Sequence, residues 1–264
     1  MPQLAAECSA KVRHIAMDIV RTQSLLKCHS DYESFTLGHV NLKLGPGEIL
    51  GIMGPAKAGK TTLLQLLWGF TRPTAGVVEV LGRVPYLHQI EVRRQAGYVA
   101  GKAAFYEWMT PQDFLGFVAN FYPTWDQARA DALLKDLGVV ASTRVNQLSS
   151  EDKLKLRLIA ALGHRPKLLL LDEPMKGESV SAWLEIQAFL KQLARTEAMT
   201  IVVSAGVSDD LDRLVDSVMM LNRGSVLRCE PSANLKQQLR ASSLEDIFNE
   251  SLRQAQRNVR RANA

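Results

Sequence analysis

Apolar and polar residues change their spacing repeatedly along this chain, and each change marks an element. Apolar positions in His14-Ile15-Ala16-Met17-Asp18-Ile19-Val20 predict a first strand. Val40-Asn41-Leu42-Lys43-Leu44 alternates with period two, as a half-buried strand does, and stops at the turn Gly45-Pro46-Gly47. Ile49-Leu50-Gly51-Ile52-Met53 is a short apolar strand, followed after a glycine-bearing break by the helical run Leu63, Leu64, Leu66, Leu67, Trp68. Shorter β-prone runs lie around Val77 to Val80 and Tyr98-Val99. Thr110-Pro111-Gln112-Asp113 opens a helix with proline in its first turn. Residues 126–137 carry Ala130, Leu133, Leu134 and Leu137 on one helical face and stop at Gly138; a further helix runs from after Ser149 to Leu162.

Lys167-Leu168-Leu169-Leu170-Leu171 is continuously apolar and ends in Asp172-Glu173-Pro174, the signature of a strand covered on both faces. The pattern then predicts a helix from Trp183 to Arg195, a strand from Thr200 to Val203 and a helix from Asp209 to Leu214. A strand from Ser217 to Leu221 and one or two helices between Leu235 and Arg257 complete the chain. Strands alternating with helices give an α/β fold with a largely parallel sheet.

Composition narrows the class. With 264 residues, 47% hydrophobic and 22% charged, the chain is globular, one domain with appendages rather than two equal halves. No run of about 18 apolar residues is available to span a bilayer. Charges at Glu7, Lys11 and Arg13 argue against a signal peptide. Cys8, Cys28 and Cys229 are odd in number and far apart, so they read as reduced thiols of a cytosolic protein. The net charge is +5, with Lys236, Arg240, Arg253, Arg257, Arg260 and Arg261 near one end. A solvated helix face accounts for them; an anionic membrane surface or RNA is the sharper alternative.

The break after the strand at 49–53 carries the chemistry. Gly54-Pro55-Ala56-Lys57-Ala58-Gly59-Lys60-Thr61-Thr62 fits G-x-x-x-x-G-K-[ST], the loop whose backbone N–H groups cradle phosphates. In that motif Lys60 reaches the β- and γ-phosphates and the Thr61 hydroxyl meets Mg²⁺. The following helix offers its N-terminus to the anion. Nucleotide binding follows. Asp172 and Glu173 end the strand expected to lie beside the loop, Asp172 as a candidate Mg²⁺ ligand and Glu173 as a candidate catalytic group that orients or polarises water. The plain alternative is a carboxylate pair that only caps the next helix.

The order of these motifs resembles the ATP-binding subunit of ABC transporters. Gly54 to Thr62 matches Walker A, Leu168 to Pro174 matches Walker B with the catalytic Glu, and Leu148-Ser149-Ser150-Glu151-Asp152 stands at the signature L-S-G-G-Q. The resemblance runs from about Tyr32 to Phe248. Phe121-Tyr122-Pro123-Thr124-Trp125-Asp126 and Ser243-Leu244-Glu245-Asp246-Ile247-Phe248 look most like the exporter-type branch. It implies a P-loop NTPase: a RecA-like α/β core, an edge antiparallel β-sheet and an α-helical subdomain. The ATP-binding domain would span 1–232, with the helical part at about 102–164 and a C-terminal helical extension at 233–264. ATP and Mg²⁺ are the implied cofactors. A separate transmembrane permease and a second ABC ATPase subunit are the implied partners, no nucleic acid is expected, and the location is cytoplasmic, peripheral on the inner face of the membrane. Two subunits would sandwich two ATP molecules, each between Walker A of one chain and the signature of the other.

Departures from the family pattern shape the expectation further. Ser150 and Glu151 replace the signature glycines and Asp152 its glutamine. A carboxylate about 4 Å from a phosphate oxygen costs on the order of 4 kcal/mol at an effective dielectric near 20. Such a signature is a poor ATP clamp unless it stays farther off or a cation intervenes. Gly101 stands where the family has its Mg²⁺-contacting Gln, Gly206 where it has its switch His, and Ser179 where its dimer-contacting loop has Asp. Lys57 replaces a common Gly; it either tightens ATP binding or points to solvent. Tyr32, or Phe35, falls where the family stacks an aromatic on adenine, though an ordinary edge-sheet aromatic fits equally. Of Phe105, Tyr106, Trp108, Phe114, Phe117, Phe121, Tyr122 and Trp125, most are expected in the helical-subdomain core, with a few such as Tyr106 and Trp108 left exposed for permease docking. Together these features predict a heterodimer in preference to a homodimer and slow ATPase activity from this subunit alone. The rival readings are a non-hydrolysing regulatory subunit and, from another class, a soluble ABC protein acting on ribosomes or DNA.

Overall fold

The computed structural model describes residues 18–29, 35–100, 105–175, 179–207, 211–239, 241 and 243–262. Strands β1 (Val20–His29), β2 (Phe35–Leu44) and β4 (Ala75–Val80) form an antiparallel sheet in the order β2-β1-β4. A second sheet runs β5-β6-β7-β3-β8-β9, built from β3 (Ile49–Met53), β5 (Ala96–Ala100), β6 (Leu168–Asp172), β7 (Thr200–Ala205), β8 (Ser217–Asn222) and β9 (Ser225–Pro231). Its five strands β5 to β8 pair in parallel, and β9 closes the edge antiparallel to β8. The helices are α1 (Lys60–Trp68), α2 (Gln89–Arg93), α3 (Pro111–Ala119), α4 (Gln127–Asp136), α5 (Ser150–Leu162), α6 (Val180–Thr196), α7 (Ser232–Leu239) and α8 (Leu244–Ala262).

The continuous apolar runs are buried because the parallel sheet is covered on both faces. Every residue of β3, β6 and β7 is buried. Alternate residues serve opposite cores: Leu168 and Leu170 join α1 and the antiparallel sheet, whereas Leu169 and Leu171 join α5, α6 and the C-terminal helices. Local chemistry sets the helix ends. Thr110 and Asp113 form a capping box at α3, and Asp126 and Ser149 cap α4 and α5. The C-terminal helices are anchored by Leu235, Leu244, Ile247 and Phe248, all buried in the core that faces α5 and α6.

Four elements differ from the sequence expectation. Residues 14–17 of the first expected strand lie outside the described residues, and the strand begins at Val20. Its register shifts near Ser24 and Leu26 break the alternation that would have revealed it. The helix expected from Asp209 to Leu214 is not formed in its described part: residues 211–214 make a single turn, closed by Leu214 N–H on the Leu211 carbonyl at 3.0 Å. Edge strand β9, half exposed and without an apolar run, gave no signal, and α2 is only five residues long.

His164 is buried at the end of α5. It stacks on Tyr122 at 4.0 Å, its Nε2 lies 3.1 Å from the Ala96 carbonyl, and burial pushes its pKa down to about 4. The unfolded chain therefore takes up a proton near pH 6.5 that the folded chain refuses until about pH 4, so His164 makes stability fall as pH drops through that window. His164→Gln should flatten this part of the stability–pH profile in urea titrations by one proton's slope. Phe248→Ala should cost about 3 kcal/mol, read as a lower urea midpoint, because it opens a cavity where α8 meets the core.

Candidate functional site

The loop between β3 and α1 lies at the carboxyl end of the parallel sheet. Gly54 is required there: a Cβ would come within 2.3 Å of the Leu221 carbonyl oxygen. Gly59 adopts φ 109°, a conformation that favours glycine, as it turns the chain into α1. The loop is tied to its neighbours by Gly54 N–H on the Ala205 carbonyl (3.3 Å) and Gly224 N–H on the Ala58 carbonyl (2.9 Å). A cleft of about 330 Å³ opens over it, lined by Phe35, Lys57, Ala58, Gly59, Lys60, Thr61, Thr62 and Glu173. Free N–H groups at the α1 N-terminus and a buried ammonium make this cleft a receptor for phosphate.

The structure brings Lys60 to Glu173 and Thr61 to Asp172. Lys60 Nζ donates to the carbonyl oxygens of Gly54 (2.7 Å) and Pro55 (2.9 Å) and pairs with Glu173 Oε1 at 3.1 Å. Strand β7 intervenes between β3 and β6, so Walker B is not the immediate neighbour of the loop's strand. Asp172 nevertheless reaches across it. Its Oδ1 accepts from Thr61 Oγ1 (3.1 Å) and Ser204 Oγ (2.8 Å), and its Oδ2 from the Tyr98 hydroxyl (3.3 Å). Burial, then the charge of Asp172 and its hydrogen bond, raise the Tyr98 pKa, so the phenol stays a donor. The Thr61 hydroxyl at the cleft wall and the Asp172 carboxylate bonded to it suit Mg²⁺, which takes hard oxygen ligands and completes its shell from substrate phosphates and water. Glu173 sits at φ 47°, a left-handed conformation costly for a non-glycine residue, with its N–H on Ser204 Oγ at 2.9 Å.

The family model described as ABC transporter matches residues 37–176. The chain belongs to that family. The bacitracin transport ATP-binding protein BcrA of Bacillus licheniformis is 30% identical over 224 residues, covering 84% of this chain and 72% of that protein. The ABC transporter ATP-binding protein NatA of Bacillus subtilis is 30% identical over 215 residues, 79% of this chain and 87% of its own length. Among solved structures, an ATP-binding subunit of an ABC transporter superposes with a TM-score of 0.78 over 89% of this chain and 99% of its own, at 22% identity. A dimeric ATP-binding cassette solved with ADP and Pi gives 0.70 over 81% and 98%, at 23% identity. These two likenesses establish the P-loop NTPase fold.

Placed on this ABC ATPase, the remaining expected residues separate into three groups. Tyr32 and Gly101 lie outside the described residues, as do positions 176–178. Phe35 lines the cleft, and Lys57 is exposed at its rim with φ 62°. The signature segment, by contrast, is satisfied within its own chain. Ser149 Oγ caps Asp152 N–H (3.0 Å) and donates to Asp152 Oδ2 (2.8 Å), while Glu151 pairs with Lys155 at 2.6 Å. Burial works against the Lys155 ammonium, yet the hydrogen bond and charge of Glu151, with the charges of Glu185 and Asp152, hold its pKa above the usual lysine value. A cation thus does stand beside the carboxylate that replaces a signature glycine. Ser179 caps α6, accepting from Ala182 N–H at 3.2 Å.

The aromatic cluster contributes less to the core than expected: Tyr106 and Trp108 are exposed as anticipated, but so are Phe117 and Phe121. Phe105, Phe114 and Trp125 pack on the core and Tyr122 stacks on His164, whereas Tyr106, Trp108, Phe117 and Phe121 are exposed and touch in series at 5.2–6.1 Å. Sequence reasoning missed Tyr98 and Ser204. The only trace of the latter was a hydroxyl residue within an otherwise apolar run. Lys57→Gly should relieve a left-handed residue worth about 1 kcal/mol, raising Tm by about 2–4 °C in thermal melts.

Proposed function

We propose that this chain is the ATP-binding subunit of an exporter-type ABC transporter, coupling ATP binding to a separate permease on the inner face of the membrane. The single observation that carries this reading is the convergence of Lys60, Thr61 and Glu173 on one cleft, with Asp172 bonded to Thr61 at its edge. Main-chain N–H groups within Gly54 to Thr61 would cradle the phosphates, and Lys60 would hold the β- and γ-phosphates. Phe35 at the cleft wall supports its use as the adenine-stacking aromatic in place of Tyr32. Thr61 and Asp172 would hold Mg²⁺, which when bound neutralises charge on the phosphates. Glu173, at the cleft and partly exposed, would orient or deprotonate the attacking water. Its carboxylate pairs with Lys60 at 3.1 Å, so Glu173 and a bound phosphate would compete for the same ammonium.

Slow or partner-dependent hydrolysis follows from the residue changes. Gly101 and Gly206 bring no side chain to the positions of the family's Gln and His, and losing one donor to a developing oxyanion typically costs about 10²–10³ in rate. The internally satisfied signature would make the opposite site of a dimer the weak one, which favours a second, different ABC ATPase subunit with an intact signature. The exposed series Tyr106, Trp108, Phe117 and Phe121 is an apolar face of the kind a permease segment covers. No helix among the described residues is long and apolar enough to cross a membrane, so attachment would be peripheral.

The Lys60–Glu173 pair also favours a second reading, in which the chain binds ATP only as a switch. Glu173→Gln separates the two. The substitution removes the competing charge on Lys60, so ATP affinity should rise several-fold by fluorescent-nucleotide titration. In the catalytic reading, assembled with its partner, the variant should also trap ATP that the wild type turns over; unchanged trapping favours the switch. The purified chain alone should turn over below the usual 1–10³ s⁻¹ of enzymes, at about 0.1 s⁻¹ or less in a phosphate-release assay.

A further inference from the structure

Asp172 is 9% exposed, and a buried carboxylate is stable only when its oxygens are satisfied. Three hydroxyls do this, and they are not equivalent. Thr61 belongs to the cleft wall, so its hydroxyl is the one an incoming cation can take. Ser204 and Tyr98, like Asp172 itself, are set back from the cleft lining, of which Thr61 alone among the three hydroxyls is part.

Ser204 is fully buried on β7, where parallel register places it directly beside Asp172 of β6. A serine hydroxyl has one proton. Here the proton goes to Asp172 Oδ1 at 2.8 Å, and the oxygen accepts Glu173 N–H at 2.9 Å. One side chain therefore fixes both the carboxylate of residue 172 and the main chain of residue 173 in its left-handed conformation. Tyr98 holds the other oxygen, Oδ2, at 3.3 Å. Its ring lies 5.3 Å from Trp68 and meets Phe70 edge-on at 6.3 Å, so the phenol cannot swing away freely.

We propose that Ser204 and Tyr98 are positioning residues that aim the Asp172 carboxylate at the metal of a bound Mg²⁺–ATP, Ser204 also setting the place of Glu173. The inference rests on reading the cleft as an ATP site. Partners that orient a metal-ligating carboxylate typically contribute about 10–100-fold in metal affinity.

The test is titration of the purified chain with a fluorescent ATP analogue, once in Mg²⁺ and once in EDTA, with a thermal melt of each variant. Wild type should bind more tightly in Mg²⁺. In Tyr98→Phe and Ser204→Ala that Mg²⁺-dependent gain should fall about tenfold, while affinity in EDTA stays within about twofold. Ser204→Thr, which keeps the hydroxyl, should recover most of the gain. Tyr98→Phe keeps the ring and decides the matter if Ser204→Ala lowers the melting temperature. An unchanged Mg²⁺ gain in folded variants overturns the positioning role and leaves the ATP site standing. Failure of wild type to bind the analogue in either buffer overturns the reading of the cleft itself.

Discussion

A carboxylate at the end of a wholly apolar strand is the constraint on which the rest of the structure depends. Leu168 to Leu171 bury on both faces and carry Asp172 to the sheet's carboxyl edge, where solvent alone cannot satisfy it. Three neighbours must therefore bring hydroxyls to it, and each comes from a different part of the chain. Tyr98 arrives on β5, Ser204 on β7 and Thr61 on α1. Satisfying one charge thus fixes the mutual placement of the phosphate loop and three strand ends. Stability and site geometry are the same set of hydrogen bonds.

The opposite charge is handled in a complementary way. Lys60 is almost completely buried, held by two loop carbonyls and by Glu173. A helix N-terminus favours an anion by about 0.3–1 kcal/mol at an exposed site, whereas an ammonium in a partly desolvated cleft attracts one several times more strongly. The ammonium therefore dominates the site's affinity for phosphate, with the α1 dipole and loop amides adding direction. Glu173 pairs with this cation at 3.1 Å. Its strained backbone is tolerated because Ser204 binds its N–H.

At the signature segment the same accounting gives the opposite result. Two acidic residues in the first turn of α5 suit the helix dipole but oppose a nearby phosphate. Lys155 neutralises part of that charge, and the Ser149 hydroxyl is already committed to Asp152. The segment is built to stabilise its own helix. Its acid-rich turn and the phosphate-seeking loop are chemically unlike, which is the physical root of the asymmetric pairing proposed for this ABC ATPase.

The amino-acid sequence by itself determined the elements whose signal is local. Apolar runs set β3, β6 and β7; caps at Thr110, Asp126 and Ser149 set α3, α4 and α5; and the spacing of Gly54, Gly59, Lys60 and Thr61 marked the loop, since phosphate cradling demands those residue types at those intervals. It also placed Asp172 and Glu173 at a strand end. Only the tertiary structure decided what depends on register and non-local contact. It put β7 between β3 and β6, turned the 211–214 segment into a single turn, added the half-exposed edge strand β9, and carried the first strand from Val20 to His29. It brought Ser204 and Tyr98 to Asp172, partners 32 and 74 residues away, and supplied Lys155 to Glu151. The reason is physical: periodicity and caps report the free energy of one segment, but a buried charge chooses its partners from whatever the folded sheet places within about 3 Å.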